Sequence, residues 1–242
     1  MKAIILCAGV SRRLYPLTQE TPKCLLEVGG RTILSRQVDA LLACGVTAIH
    51  LVVGYYRERI VKHLEEAYPG REFRFHINHH FFETNTAYSL QKCLTGSMPE
   101  ETVLMNGDVL YPTALLRRTL DSEFASALAV DSKSCAEEEV KVIEGDRRRI
   151  VAIGKRLAPE NCLGEFIGVA KFSAEFTGKL TASLDRLIAA GGKEDYFEAA
   201  IDPLLADGDL HYEDVSDLPC IEIDFLEDYE KSQTLVKSDF FG

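Results

Sequence analysis

Residues 2–23 read KAIILCAGVSRRLYPLTQETPK. The compact apolar run Lys2 to Cys7 predicts a strand covered on both faces. It empties into a loop with one glycine, Gly9, two prolines and three cations, Arg12, Arg13 and Lys23. Strand-to-loop transitions of this kind are where α/β proteins hold phosphates. A P-loop would need GxxxxGK[ST], and nothing after Gly9 supplies it. A dinucleotide fingerprint would need GxGxxG, and no second or third glycine follows at that spacing.

Outward from this stretch the chain alternates between strand and helix. Thr32–Cys44 carries Ile33, Leu34, Val38, Leu41 and Leu42 at helical spacing and stops at Gly45. Ala48–Val53 predicts a second buried strand, Tyr56–Ala67 a charged amphipathic helix and Phe73–Ile77 a strand. Asn85–Leu94 predicts a helix opened by a capping residue, and Thr102–Met105 another strand. Repeated βα units over the first 110 residues predict an α/β fold with a Rossmann-like, doubly wound, mixed but mainly parallel sheet. After that come strands at 125–130, 139–143, 150–153 and 166–172, helices at 173–190 and 195–205, a short strand at 220–223 and a last helix at 226–236. With no repeat, low-complexity segment or linker, residues 1–242 are expected to form one domain. The expected division is a first half, 1–110, built for a nucleotide, and a second half, 111–242, placed around it.

The balance of 27 Lys and Arg against 38 Asp and Glu argues against general nucleic-acid binding, which needs a basic face. It leaves room for a small anion, because a few cations dominate within a Debye length. A nucleotide therefore suits the opening loop better than a nucleic acid. Seven scattered cysteines without a CxxC pair suit reduced, mostly buried thiols. No stretch approaches the roughly 20 apolar residues of a membrane helix, and the N-terminus lacks a signal-peptide pattern. The expectation is a cytoplasmic protein without a membrane partner.

The run from Leu6 to Lys23 resembles the signature of the nucleotidyltransferases that join a nucleoside triphosphate to a phosphorylated sugar or alcohol, approximately LAAGxGxRLxPLTxxxPK. Ala8, Gly9, Arg13, Leu14, Pro16, Leu17, Thr18, Pro22 and Lys23 are kept, while Cys7 and Ser11 replace an alanine and the second glycine. The spacing has a physical reason. Gly9 lets the backbone approach a polyanion, and successive loop amides form a concave donor site. Arg13 can grip pyrophosphate oxygens bidentately, and Lys23 is a point charge for the α-phosphate and the attacking phosphate. The nucleophile is already an oxyanion, so positioning and charge neutralisation suffice.

The resemblance implies a nucleotide site of Leu6, Ala8, Gly9, Val10, Ser11, Arg12 and Arg13, completed by Asn85 and Gly107. It implies Mg²⁺ on Asp108, in LMNGDVLY, and on Asp224, in EIDFLEDY, with Glu222 as its partner on the same strand face. Asp224 could instead cap the last helix, and Asn85 could cap the helix it opens. Arg13, Lys23 and Asp108 form the implied catalytic set. For the acceptor, Lys23, Lys155 in VAIGKRL, Ser89, Glu165 in GEFIGVAKF, Tyr111, Tyr196 and Glu198 are implied contacts. Carboxylates among aromatics (Tyr88, Tyr111, Tyr196, Phe197) would suit a quaternary ammonium.

Within that superfamily the chain is most similar to bacterial phosphocholine cytidylyltransferases and relatives acting on phosphoalcohols or phosphonates. The similarity rests on NTAYSL, EEEVKV, GEFIGVAKF and the short segment after EIDFLEDY. It implies CTP and a small phosphorylated alcohol or phosphonate as partners, with phosphocholine favoured and a homodimer compatible. The chain has no Trp, a residue common in choline cages. Two readings stay open beside this one: a sugar-1-phosphate nucleotidyltransferase using UTP, dTTP or GTP, and a non-catalytic nucleotide-binding protein.

Overall fold

Residues 1–207 and 210–241 are described by a computed structural model. The first half forms β1 (Lys2–Cys7), a small hairpin of β2 (Glu27–Val28) and β3 (Arg31–Thr32), α1 (Ile33–Ala43), β4 (Ile49–Val53) and α2 (Arg57–Ala67). It continues through β5 (Phe73–Ile77), α3 (Thr86–Leu94) and β6 (Thr102–Asn106). There follow β7 (Val109–Leu110), α4 (Thr113–Leu120), β8 (Ala127–Asp131), β9 (Lys141–Glu144), β10 (Ile150–Gly154) and β11 (Gly164–Phe172). The rest is α5 (Ala174–Ala189), α6 (Glu198–Ile201), β12 (His211–Asp214), β13 (Ile221–Glu222) and α7 (Leu226–Leu235).

Among the described residues nine strands make one mixed sheet. β5, β4, β1 and β6 lie side by side and parallel, which is the doubly wound part expected from the βα repeats. β11 then reverses direction: its last residues pair with β6, its first two with β9, and β8 runs along it with β12 beyond. The register along β11 shifts at Gly168, whose φ is 75°. A Cβ there would stand 2.6 Å from the Asn106 side chain, so glycine serves both the bulge and the close approach to β6.

The apolar faces of the helices explain the layers. α1, α2 and α4 bury Leu34, Val38, Leu41, Ile60, Leu64, Leu115 and Leu116 on one face of the sheet. α3, α5 and α6 bury Leu90, Leu94, Phe176, Leu180, Ala200 and Ile201 on the other. A third cluster, Leu14, Leu26, Val28, Ile33, Leu110 and Ile223, ties the opening loop to β7, β13 and the hairpin. Leu14 is wholly buried there, which anchors the basic turn it ends.

Several expectations need correction. The helix expected at 195–205 is one turn, α6, followed by 3₁₀ turns over Asp202–Asp207. The Asp202 side chain, at the end of α6, accepts from the Ile153 amide at 3.1 Å. The helix expected from Tyr56 starts at Arg57, because Tyr56 holds a left-handed φ of 45°. The hairpin β2–β3, β7, α4 and β12 were not read from the sequence. Two-residue strands give too short an alternation to register, and tertiary pairing alone makes them strands. No helix among the described residues is long and apolar enough to cross a membrane.

Candidate active site

A cleft of about 430 Å³ opens over the carboxyl ends of β1 and β6, the position where open α/β sheets bind ligands. β1 delivers Leu6 and Cys7, and the following turn delivers Ala8, Gly9, Ser11, Arg12 and Arg13. The turn keeps its shape without the second glycine. Ser11 itself takes a left-handed conformation, φ 54° and ψ 50°, and its carbonyl accepts from Thr18 Oγ1 at 2.7 Å. A non-glycine residue there costs about 1–2 kcal/mol, which Thr18, wholly buried, and Leu14 help to offset.

Lys23 arrives from the far side of the loop and stands between two carboxylates. Its Nζ lies 2.8 Å from Asp108 Oδ2 and 2.7 Å from Asp224 Oδ1. Arg13 reaches the other oxygen of Asp224 at 2.6 Å, with its guanidinium stacked over Phe225. Asp108 and Asp224 are 116 residues apart, and the short antiparallel pair β7–β13 brings them together. Within that pair the Ile223 amide donates to the Asp108 carbonyl at 3.1 Å. Asp224 is not the cap of α7, since Phe225 holds that position and Asp228 accepts from both backbone amides. Gly107 is required at this floor, because a Cβ would stand 2.6 Å from Cys7 Sγ and 2.7 Å from the Leu6 carbonyl.

Electrostatics follow from this crowding. Burial works to raise the Asp224 pKa, but Lys23 and Arg13 outweigh it and hold the carboxyl below its usual range. The same two aspartates flank Lys23 and keep its ammonium above its ordinary pKa despite burial. Glu222 lacks such a partner. Burial, then Asp108 and Asp224, push it up to about 8. Asp108, Glu222 and Asp224 each offer an oxygen within 4.8 Å of the others. Asp108 Oδ1 is buried with no protein partner. An all-oxygen donor set with an unsatisfied buried oxygen fits a hard divalent cation such as Mg²⁺.

The opposite wall is built from the start of α3 and the 192–198 segment. Asn85 caps α3, its side chain accepting from the Thr86 amide at 2.8 Å while lining the cleft. Ser89 lines it too and accepts from Asn78 Nδ2 at 3.1 Å. Asn78 also bonds Thr84 and the His80 amide, fixing the 78–85 turn. The Asn85 and Ala87 amides donate to Lys193 and Asp195, which sets Tyr196 beside α3. Lys155 follows β10, with its ammonium 4.4 Å from the Tyr196 ring centre. Its carbonyl accepts from the fully buried Lys141, which also bonds two carbonyls of the 137–139 loop. Glu198 is buried, and its Oε2 has no partner. Burial raises its pKa to about 7, against the pull of its own amide and Lys155.

Of the expected site residues, Leu6, Ala8, Gly9, Ser11, Arg12, Arg13, Lys23, Asn85, Ser89, Gly107, Asp108, Lys155, Tyr196, Glu198 and Asp224 line this one cleft. Three do not. Val10 neighbours it without lining it. Tyr111 is a correction: it sits in the core on the α1 and α4 face, its hydroxyl donating to Met105 Sδ at 3.1 Å. Glu165 is the second correction. It pairs with Lys133 at 2.8 Å in a cluster with Asp131 and Glu139, outside the lining. Tyr88 and Phe197 are core residues as well. The aromatic lining is Phe81, Phe166 and Tyr196. Asn78, Phe81, Thr84 and Asn106 were missed; no spacing marks them, because the turn geometry selects them.

Residues 3–164 match the family profile of the MobA-like NTP transferase domain, two thirds of the chain. The choline-phosphate cytidylyltransferase of Streptococcus pneumoniae is 26% identical over 99% of this chain and 100% of that protein. The CTP:phosphoglutamine cytidylyltransferase of Campylobacter jejuni is 26% identical over 77% of this chain and 79% of that protein. In fold, the inositol-1-phosphate CTP transferase of T. maritima superposes with a TM-score of 0.79 and 24% identity, over 98% of this chain and 96% of that one. With the glycine turn after β1, the paired cations and the carboxylates after β6 and β13 gathered in one cleft, and with this profile covering two thirds of its length, the chain belongs to the MobA-like NTP transferase domain family and is a nucleotidyltransferase.

Proposed function

We propose that the protein transfers CMP from CTP to a small phosphorylated alcohol or phosphonate, phosphocholine first among them, and releases pyrophosphate. The observation that carries this reading is Lys23 held between Asp108 and Asp224, facing the Gly9 turn across one cleft. The choice of CTP is supported by the cytidylyltransferases the chain resembles over most of its length. The 1–110 half would hold the nucleotide and the 111–242 half the acceptor.

The reaction is one displacement. An acceptor phosphate oxygen forms a bond to the α-phosphorus, and the bond from that phosphorus to the α–β bridging oxygen breaks. Its electron pair leaves on pyrophosphate, and no proton transfer is needed. The amides of the Gly9–Ser11 turn and the Arg13 guanidinium neutralise the departing pyrophosphate. Lys23 places a fixed charge where the two phosphates meet, and Lys155 orients the acceptor phosphate. Asp108, Glu222 and Asp224 would hold Mg²⁺, which supplies further neutralisation of the phosphate oxygens. Glu198 and Tyr196 would receive the head group of the acceptor.

Pyrophosphate release tests the reading across four nucleoside triphosphates against phosphocholine, aminoethylphosphonate, glycerol phosphate and glucose-1-phosphate, with Mg²⁺. Release confined to CTP with a small phosphoester or phosphonate is expected. Release with UTP or dTTP and the sugar phosphate would overturn it.

A further inference from the structure

On the α3 face of the sheet, away from the cleft, three metal-ligating side chains converge. His50 lies near the start of β4, His76 near the end of β5 and Cys93 in the last turn of α3. His50 Nδ1 is 3.0 Å from His76 Nε2 and 3.9 Å from Cys93 Sγ, and the three atoms lie within 4.8 Å of one another. Cys93 is 1% exposed, His50 is 9% exposed, and His76 is half-buried on the edge strand, which leaves a way in.

We propose that His50, His76 and Cys93 form a binding site for a borderline-soft divalent cation of the zinc type, separate from the catalytic carboxylates. In a tetrahedral zinc site, bonds of about 2.0–2.1 Å to nitrogen and 2.3 Å to sulfur put two nitrogens about 3.3 Å apart and nitrogen and sulfur about 3.6 Å apart. The observed 3.0 and 3.9 Å need movements of only a few tenths of an ångström. Two imidazoles and a thiol are a donor set for zinc, not for magnesium. A water would fill the fourth position.

The surroundings support the assignment. Burial, then Lys2, hold the His76 pKa below its usual value, and a hydrogen bond that the ring donates to the Lys92 carbonyl opposes this. With Nε2 turned toward His50, that bond falls to Nδ1, and Nε2 presents its lone pair to the cluster. This is the outer support that metal-bound histidines have. Binding releases the Cys93 thiol proton to solvent and moves the His50 proton to Nε2, so a 2+ ion adds one net charge. Lys2 and Arg74 are the fixed cations that act on the histidines, and Lys2 is already paired with Glu100 at 3.3 Å.

The test is titration of metal-free, full-length protein with Co²⁺ in excess Mg²⁺, which keeps the catalytic carboxylates occupied. A thiolate-to-cobalt absorption band saturating at one equivalent and displaced by Zn²⁺ is expected. It should be lost in Cys93→Ser and at least tenfold weaker in His76→Gln, whose half-exposed side chain can be changed without emptying the core. At roughly 100 times its Kd, Zn²⁺ should raise Tm by about 5–10 °C in the unaltered protein and not in either variant. Absence of the band in folded protein, or its persistence in both variants, would overturn the site. Neither result depends on CTP turnover, so the proposed transferase activity stands or falls separately.

Discussion

Replacing Lys23 by Met keeps the aliphatic stem and removes one charge from a tight ring. Asp108 Oδ2 and Asp224 Oδ1 then lose partners at 2.8 and 2.7 Å. Breaking a buried ion pair costs about 3–5 kcal/mol. The two aspartates are each about a quarter exposed, and Arg13 still reaches Asp224, so the lower end applies, about 3 kcal/mol. For a chain of this size that lowers Tm by about 6–12 °C. The loss should be largest at neutral pH. Asp224 has a depressed pKa in the folded protein, so its contribution is present above its unfolded value near 4 and fades as pH falls through the lower folded value. Millimolar Mg²⁺ should recover much of the lost Tm by drawing on the same oxygens. It should not recover turnover. A fixed donor aimed at a transferring phosphate is worth about 10²–10³ in kcat. The assay is differential scanning calorimetry beside pyrophosphate release, each with and without Mg²⁺. Recovery of both Tm and kcat by the cation would refute the role, reducing Lys23 to a counter-ion for the carboxylates.

Three further substitutions test the reading, two in the cleft and one in the core beside it. A Cβ at Gly9 meets nothing within 4 Å, so Gly9→Ala should fold with unchanged Tm yet raise KM for the nucleotide roughly tenfold or more; wild-type KM would remove the turn from the nucleotide site. Burial raises Glu198 to about 7, so binding of a cationic acceptor should tighten as pH rises through 7, and Glu198→Gln should flatten that dependence and raise acceptor KM by roughly tenfold while sparing KM for CTP. The same raised pKa costs stability as pH climbs from its unfolded value near 4.5 toward 7, and the Gln variant should lose that slope in urea titrations. Tyr111→Phe, which removes one hydroxyl donated to Met105, should cost less than about 1 kcal/mol and leave acceptor KM within twofold; a large KM change would reinstate Tyr111 as an acceptor contact.

The parallel strands β1, β4 and β6 and the helices α1 and α3 were legible because continuous apolar runs and helical periodicity are local properties of the chain. So was the basic loop, where glycine, arginine, proline and lysine sit at a spacing that serves phosphate chemistry. Asp108 and Asp224 were legible as carboxylates after apolar runs. Their meeting was not, since it depends on the two-residue pairing of β7 with β13 and on packing around Leu110 and Ile223.

Tertiary structure also decided which aromatics face the cleft. Tyr111 and Tyr196 look alike as letters near functional motifs, yet one is sealed under α1 and α4 while the other stands half open beside Lys155. Side choice on a short strand is set by one residue of register, and no local signal fixes it. Ser11 is the converse case. A glycine position is occupied by serine, and the left-handed turn survives because Thr18 and Leu14, a few residues on, hold it. The sequence by itself determined the alternation of strands and helices in the first half and the charge pattern of the loop, both written in contiguous residues. Only the fold decided the carboxylate ring, the α3 wall of the cleft and the His50, His76 and Cys93 cluster, because each joins side chains that are neighbours in space alone.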